Sequence, residues 1–309
     1  MTPLYDYLRR FDADEWLRAV DMVSANIADV DREATRIWFA FYPLRLHVAL
    51  EEAADRPALE RKLGLMGRWG LSDTVDTSHR FFYGHPHWPA VKHAIRAAES
   101  WPQQLPAFIT QVAEAASQSA RVPREMVLGL TAAGLMTLRQ AGPEAFAAMQ
   151  PVPAPARTRT PRQVMEARAK DDWQGLLGFL RGVRKRWTVT FNELDPAARF
   201  TAIERQDLAS AAQSDKREYR SKDPRCIPNE GPIPVECRAA SCGTCWVGLL
   251  GGAEKLTPVE AHEAKRMSVF GYADLAEGSR PVIRLACQAK VQGAVSIVIP
   301  PWNGIIGRL

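Results

Sequence analysis

Cys237-Arg-Ala-Ala-Ser-Cys242-Gly-Thr-Cys245, answered much later by Cys287, decides how the C-terminal part of this chain reads. The pattern is C-x4-C-x2-C…C, with residues 246–286 between the third and fourth cysteines. All five cysteines of the 309-residue chain fall after position 225, and four obey this spacing. That is metal-site usage rather than a disulfide framework, and it fits a reducing compartment. The chemistry asks for four thiolates that converge, three from one loop wrapped over the metal and one from a distant segment. Small residues between them let backbone N–H groups approach and donate to the sulfurs.

The spacing is the plant-type [2Fe–2S] one. A structural zinc site is the alternative use of four cysteines. Tetrahedral zinc sites usually join two short C-x2-C knuckles, whereas this chain has one knuckle, one x4 loop and a lone fourth cysteine. The iron–sulfur reading is preferred, with Cys237, Cys242, Cys245 and Cys287 as ligands. Cys226, in Ser221-Lys-Asp-Pro-Arg-Cys-Ile-Pro, stands outside the spacing and reads as an unligated loop cysteine. A spare ligand or an accessible redox-active thiol is its other reading, although no neighbour marks it as a thiolate.

Around these cysteines, residues 185–300 resemble the [2Fe–2S] ferredoxin family with its β-grasp fold. The resemblance rests on Ile233-Pro-Val-Glu-Cys-Arg before the loop, Trp246-Val-Gly-Leu-Leu after it and Arg284-Leu-Ala-Cys-Gln-Ala around the fourth cysteine. It implies a one-electron carrier whose cluster lies near the surface under the 237–245 loop, in a family whose plant-type clusters sit near roughly −400 mV. Three departures stand out. Ala240 occupies a loop position where many members have glycine, which strains the loop if that residue needs positive φ. The segment between Cys245 and Cys287 is longer than usual, which predicts a helical insertion around Pro258–Met267. Residues 223–309 carry 9 basic and 8 acidic side chains, so the acidic docking face of many members is not expected.

Strand signals surround the cysteines. Trp187-Thr-Val-Thr-Phe-Asn and Arg199-Phe-Thr-Ala-Ile-Glu alternate about a turn at Pro196, which predicts a β-hairpin. Residues 206–214 read as a short helix and Ala294–Ile299 as a last strand, after which Pro300-Pro-Trp-Asn-Gly leaves the sheet. No sustained alternation occurs before position 185. Residues 1–150 read instead as helix after helix: Asp12 and Glu15 have capping-box spacing, Trp16, Val20 and Val23 share a face, and similar patterns begin near Asp31, Pro57, Pro89, Leu105 and Arg124. The stripe Trp38, Phe39, Phe41 and Tyr42 reads as core, and Met126–Leu138, too short for a bilayer span, as a buried helix. Residues 151–161 carry four prolines and predict an extended spacer. A connecting helix over 162–184 follows from Trp173, Leu176, Leu177 and Leu180.

A chain of this length exceeds what one core usually organises. The expected architecture is therefore α+β with two domains: helical residues 1–150, a linker and connecting helix over 151–184, and a β-grasp [2Fe–2S] domain over 185–309 with a C-terminal tail. The N-terminus offers neither a basic n-region nor an apolar h-region, so a cytoplasmic location is expected.

The formal charge of +5 conceals an asymmetry. Residues 1–150 hold 16 basic and 18 acidic side chains, residues 151–309 hold 24 and 17, and the basic excess concentrates between 151 and 222. With no nucleic-acid motif beside it, the excess points to a redox partner with an acidic docking surface. Arg181, Arg184, Lys185 and Arg186 form one basic group, and Lys216, Arg217, Arg220 and Lys222 another. Five of six histidines, His47, His79, His85, His87 and His93, fall between 47 and 93, which raises a second cofactor, haem or metal, near His85, His87 and His93. Against it stand the proline between His85 and His87, the six-residue step to His93, and the lack of C-x-x-C-H or Glu-x-x-His pairs. The sequence thus favours an electron carrier over a stand-alone enzyme, with the helical domain docking it. The alternatives are a multidomain oxidoreductase whose helical domain binds a cofactor or substrate that the cluster reduces, and a redox sensor.

Overall fold

The computed structural model describes residues 3–148, 158–171, 185–270 and 278–303, and gives an α+β architecture. Packing divides the chain into one unit of Met1–Glu51 with Gly70–Arg162 and another of Glu52–Trp69 with Gln163–Leu309. The expected proline-rich spacer and most of the expected connecting helix, with Trp173, Leu176, Leu177 and Leu180, lie outside the described residues.

The first unit is built from helices α1 (Pro3–Arg9), α2 (Ala13–Ser24), α3 (Asp29–Phe41), α4 (Leu44–Glu52, whose last residue belongs to the second unit), α6 (Trp88–Arg96), α7 (Leu105–Ala120) and α8 (Glu125–Ala148). Helix α2 starts where the sequence says: the Asp12 carboxylate accepts from Glu15 N, the Glu15 carboxylate accepts from Asp12 N, and Trp16, Ala19, Val20 and Val23 are buried. Trp38, Phe39, Phe41 and Tyr42 are core, and α8 is buried from Val127 to Arg139. Helix α8 kinks at Gly142, where φ is 81°, because the following Pro143 cannot continue the ladder. Two helices without a clear sequence signal, α1 and α4, complete the set.

Three buried polar groups tie the loops of this unit down. The Asp31 carboxylate accepts from Tyr83 N at 2.5 Å and Gly84 N at 2.7 Å. Asp76, fully buried, accepts from Lys92 Nζ at 2.8 Å and Trp88 Nε1 at 2.6 Å. His79 and His85 face each other, Nδ1 to Nδ1, at 2.9 Å.

The second unit centres on a five-stranded sheet in the order β3-β2-β6-β4-β5: β2 (Arg186–Thr190), β3 (Arg199–Ile203), β4 (Trp246–Gly251), β5 (Ile283–Leu285) and β6 (Val295–Val298). The expected β2–β3 hairpin is antiparallel, with Val189 opposite Phe200. Strand β6 returns parallel to β2 and antiparallel to β4, so it is central and all four of its residues are buried. The expected short helix is α10 (Leu208–Ala212), capped by Asp207 and packed on β3. Helix α9 (Pro161–Ala169) presents Arg168, which forks onto the Glu193 carboxylate at 2.8 and 2.9 Å.

The packing differs from the expected division at one place. Residues 52–69 belong to the sheet-containing unit: α5 (Arg56–Lys62) leads to β1 (Met66–Gly67), which pairs antiparallel with β7 (Trp302–Asn303). Residues 302–303 of the tail thus make a second, two-stranded sheet whose partner lies far away in sequence. Gly67, at φ 85°, is needed there, since a Cβ would come within 2.5 Å of the Pro301 carbonyl oxygen.

The Asp76–Lys92 pair generates a stability prediction. Asp76→Ala leaves a buried ammonium without this carboxylate, a loss of about 3–5 kcal/mol by the usual cost of breaking a buried pair. Urea unfolding followed by far-ultraviolet circular dichroism should show it, and a change below about 1 kcal/mol would refute the pair's role.

Candidate metal centre

The sheet itself brings the two most distant cysteines together. Strand β4 runs straight on from Cys245 and β5 stops just before Cys287. Their antiparallel register sets Trp246 opposite Leu285 and Val247 opposite Arg284, and Ala286 N donates to the Cys245 carbonyl at 2.8 Å. Cys245 and Cys287, 2% and 8% exposed, are therefore neighbours. The neighbouring Cys287 sulfur pushes the Cys245 thiol up, with burial adding to it, and the Cys245 thiol brings Cys287 down.

The ligand loop works by backbone geometry. Arg238 (φ 54°), Ala240 (φ 56°) and Gly243 (φ 65°) all adopt the left-handed conformation, which turns successive N–H groups inward. Ala239, Ser241 and Cys242 donate from backbone N to Cys237 Sγ at 3.4, 3.3 and 3.3 Å. Burial alone would raise the Cys237 thiol, but hydrogen bonds from Ser241, Cys242 and Ala239 outweigh it and bring it down to about 6. Cys242 Sγ lies 3.1 Å from Thr244 Oγ1, and Gln288 Nε2 donates to Cys287 Sγ at 3.4 Å. Cys237 and Cys242 are partly exposed, Cys245 and Cys287 buried.

This donor set fits the cluster that the spacing implies. Four thiolates would give an oxidised cluster a net charge of about −2, and N–H groups aimed at a sulfur are what such charge requires. Among the described residues no three His, Cys, Asp or Glu side chains are gathered closely enough to hold one metal ion.

The expected helical insertion is present as α11 (Ala261–Val269), and the residues that lock it to the site went unnoticed in the sequence. Glu263 and Arg284, each 1% exposed, form a forked pair: Arg284 Nε and Nη2 donate to the carboxylate at 2.9 and 2.7 Å. Arg284 Nη1 reaches the Thr257 carbonyl at 2.7 Å, and Leu285 N donates to Glu263 at 3.2 Å. Phe270 packs edge-on against Trp246, ring centroids 5.3 Å apart, and faces Gly243, where a Cβ would lie 3.2 Å from its ring. On the outer side of α11, His262 Nε2 stands 3.2 Å from the Ala239 carbonyl oxygen. An arginine three residues before the fourth cysteine was the available signal; its carboxylate partner lies 21 positions away and only the fold pairs them.

The remaining candidates separate from this site. Cys226 is buried rather than an accessible loop thiol; its Sγ donates to the Pro232 carbonyl at 3.4 Å, and burial first, then Asp223, pushes the thiol up to about 11. His85, His87 and His93 do not converge. His85 is buried against His79, His87 is half-buried with its pKa lowered by desolvation, and His93 is exposed on α6. The proline holds His85–His87 in a short 3₁₀ turn, and α6 then carries His93 outward, so the second-cofactor expectation finds no support.

Of the second basic group, Lys216, Arg217, Arg220 and Lys222 are exposed, but Arg217 is not simply solvated. It is pinned to Asp215 and to the carbonyls of Ala197 and Arg199. Among the described residues no helix is long and apolar enough to cross a membrane.

Residues 228–292 match the family model of the 2Fe-2S iron-sulfur cluster binding domain, a span that contains all four spaced cysteines. No curated protein and no solved structure matches the chain.

Two outcomes follow from the loop. Left-handed backbone costs an L-residue roughly 1–2 kcal/mol, so Ala240→Gly should raise the unfolding midpoint of the second unit without loss of iron. A lowered midpoint would mean that the buried Ala240 methyl outweighs the backbone strain. Cys226, with its thiol near 11, should resist iodoacetamide at pH 8 in the folded protein and react only as the pH approaches that value or the chain unfolds. Mass spectrometry of the labelled peptides decides this.

Proposed function

With a ferredoxin-type 2Fe-2S domain in its C-terminal part, we propose that this chain is a one-electron carrier whose cluster is held by Cys237, Cys242, Cys245 and Cys287 in a β-grasp unit. What supports the reading is the β4–β5 register, which sets Cys245 beside Cys287, together with three backbone N–H groups on Cys237. The β-grasp assignment draws on the parallel β2–β6 pair inside a mixed sheet and on α10 packed against it. When bound, the cluster supplies a one-electron couple. The chain's own part is to hold four sulfurs in place, to offset added negative charge with fixed N–H dipoles and to cover the inner side with Phe270 and Trp246. Cys237 and Cys242, on the partly exposed side, define the face for electron exchange.

The helical unit acts in this reading as a docking module for a redox partner. The exposed Lys216, Arg220 and Lys222 favour a partner with an acidic surface, because summed like charge steers association at moderate ionic strength. None of the five cysteines is paired in a disulfide, which suits a reducing, cytoplasmic setting.

Serine in place of Cys237, Cys242, Cys245 or Cys287 should abolish or distort the cluster, while Cys226→Ser should leave it intact. Iron and sulfide content together with the EPR signal of the reduced protein are the measurements. Full iron retention with an unchanged signal in any of the four variants, or loss of both in Cys226→Ser, would remove the ligand assignment.

A further inference from the structure

The insertion between Cys245 and Cys287 does more than lengthen the chain. Its helix α11 is fixed by the buried Glu263–Arg284 fork, so the side chain one position earlier, His262, is held over the ligand loop. The Ala239 carbonyl can only accept a hydrogen bond, so the proton between it and His262 belongs to His262 Nε2. Ala239 in turn donates its own N–H to Cys237 Sγ at 3.4 Å. One residue of the ligand loop is thus held from outside through its carbonyl and meets a cysteine sulfur through its N–H, between the left-handed Arg238 and Ala240. A donor held at a fixed distance and angle is stronger than one that can swing away.

We propose that His262 is a positioning residue that tunes the reduction potential of the iron–sulfur centre by donating from Nε2 to the Ala239 carbonyl and so holding the Ala239 N–H on Cys237. The inference rests on the cluster assignment made above. Its sign follows from charge: reduction adds one electron, the sulfurs become better acceptors, and stronger N–H donation stabilises the reduced form more than the oxidised form. No bond is made or broken. Removing the donor therefore makes the protein harder to reduce.

The test uses full-length protein carrying His262→Leu, His262→Gln and His262→Asn, titrated spectroelectrochemically with redox dyes, with iron and sulfide content and the reduced-state EPR spectrum recorded for each. His262→Leu should shift the midpoint potential downward, equivalent to about a two- to tenfold smaller equilibrium constant for reduction, the size of one hydrogen bond. Gln places an amide N–H near the Nε2 position and should return the potential toward wild type. Asn is too short to reach and should behave like Leu, which keeps the test alive if the Leu variant loses its cluster. Fully loaded Leu or Asn variants at the wild-type potential would overturn the inference, and so would equal shifts in Gln and Asn, which mark packing rather than donation. Wild-type protein without iron and sulfide after reconstitution would instead remove the cluster assignment itself, so the two failures are distinguishable.

Discussion

Four cysteines acting together as thiolates would repel each other, and the loop that carries three of them supplies fixed dipoles against that repulsion. Cys237 shows the device most fully: its sulfur receives three backbone N–H groups and its thiol falls to about 6 although burial works in the other direction. Backbone N–H groups aim inward in succession only where the chain turns through left-handed conformations, and Arg238, Ala240 and Gly243 supply these. The loop therefore accepts local strain, at Ala240 with a buried methyl group, to secure its electrostatics.

That strained loop needs an outside frame. Strand pairing supplies one side, since the β4–β5 register places Cys245 against Cys287. The α11 insertion supplies the other, through the Glu263–Arg284 fork, the Phe270 ring on Gly243 and Trp246, and His262 on Ala239. A buried ion pair contributes little net stability compared with apolar groups of the same shape. Its value here is directional: a fork admits one geometry, so α11 can sit against β5 in one register only. In the first unit the Asp76–Lys92 pair and the Asp31 contacts to Tyr83 and Gly84 have the corresponding effect on loops between helices.

Much of the fold was legible because it depends on local pattern. Capping at Asp12 and Glu15, the apolar face of α2, the β2–β3 hairpin, α10 and the insertion helix near Pro258 all follow from residues within a few positions of each other. The β1–β7 pair was not legible, because Met66–Gly67 is too short to show alternation and its partner lies more than two hundred residues away. The anchoring of Arg217 was not legible, because its partners, the carbonyls of Ala197 and Arg199, have no signature in side-chain chemistry. Cys226 read as an unligated loop cysteine without sign of its burial, because polarity of neighbours in sequence says nothing about what covers a side chain in space.

For the candidate site the division is the same. Cysteine spacing alone pointed to the class of cofactor that the family match supports and to the proposed donor set, because C-x4-C-x2-C…C restricts how four sulfurs can meet around two irons. It also marked Ala240 as a strained position before any coordinates. Tertiary structure alone decided the rest: that His85, His87 and His93 do not meet, that Glu263 pairs with Arg284, and that His262 reaches Ala239. Each of these depends on contact between segments far apart in sequence, and such contacts are set by the packing of whole elements, which no local spacing of residues encodes.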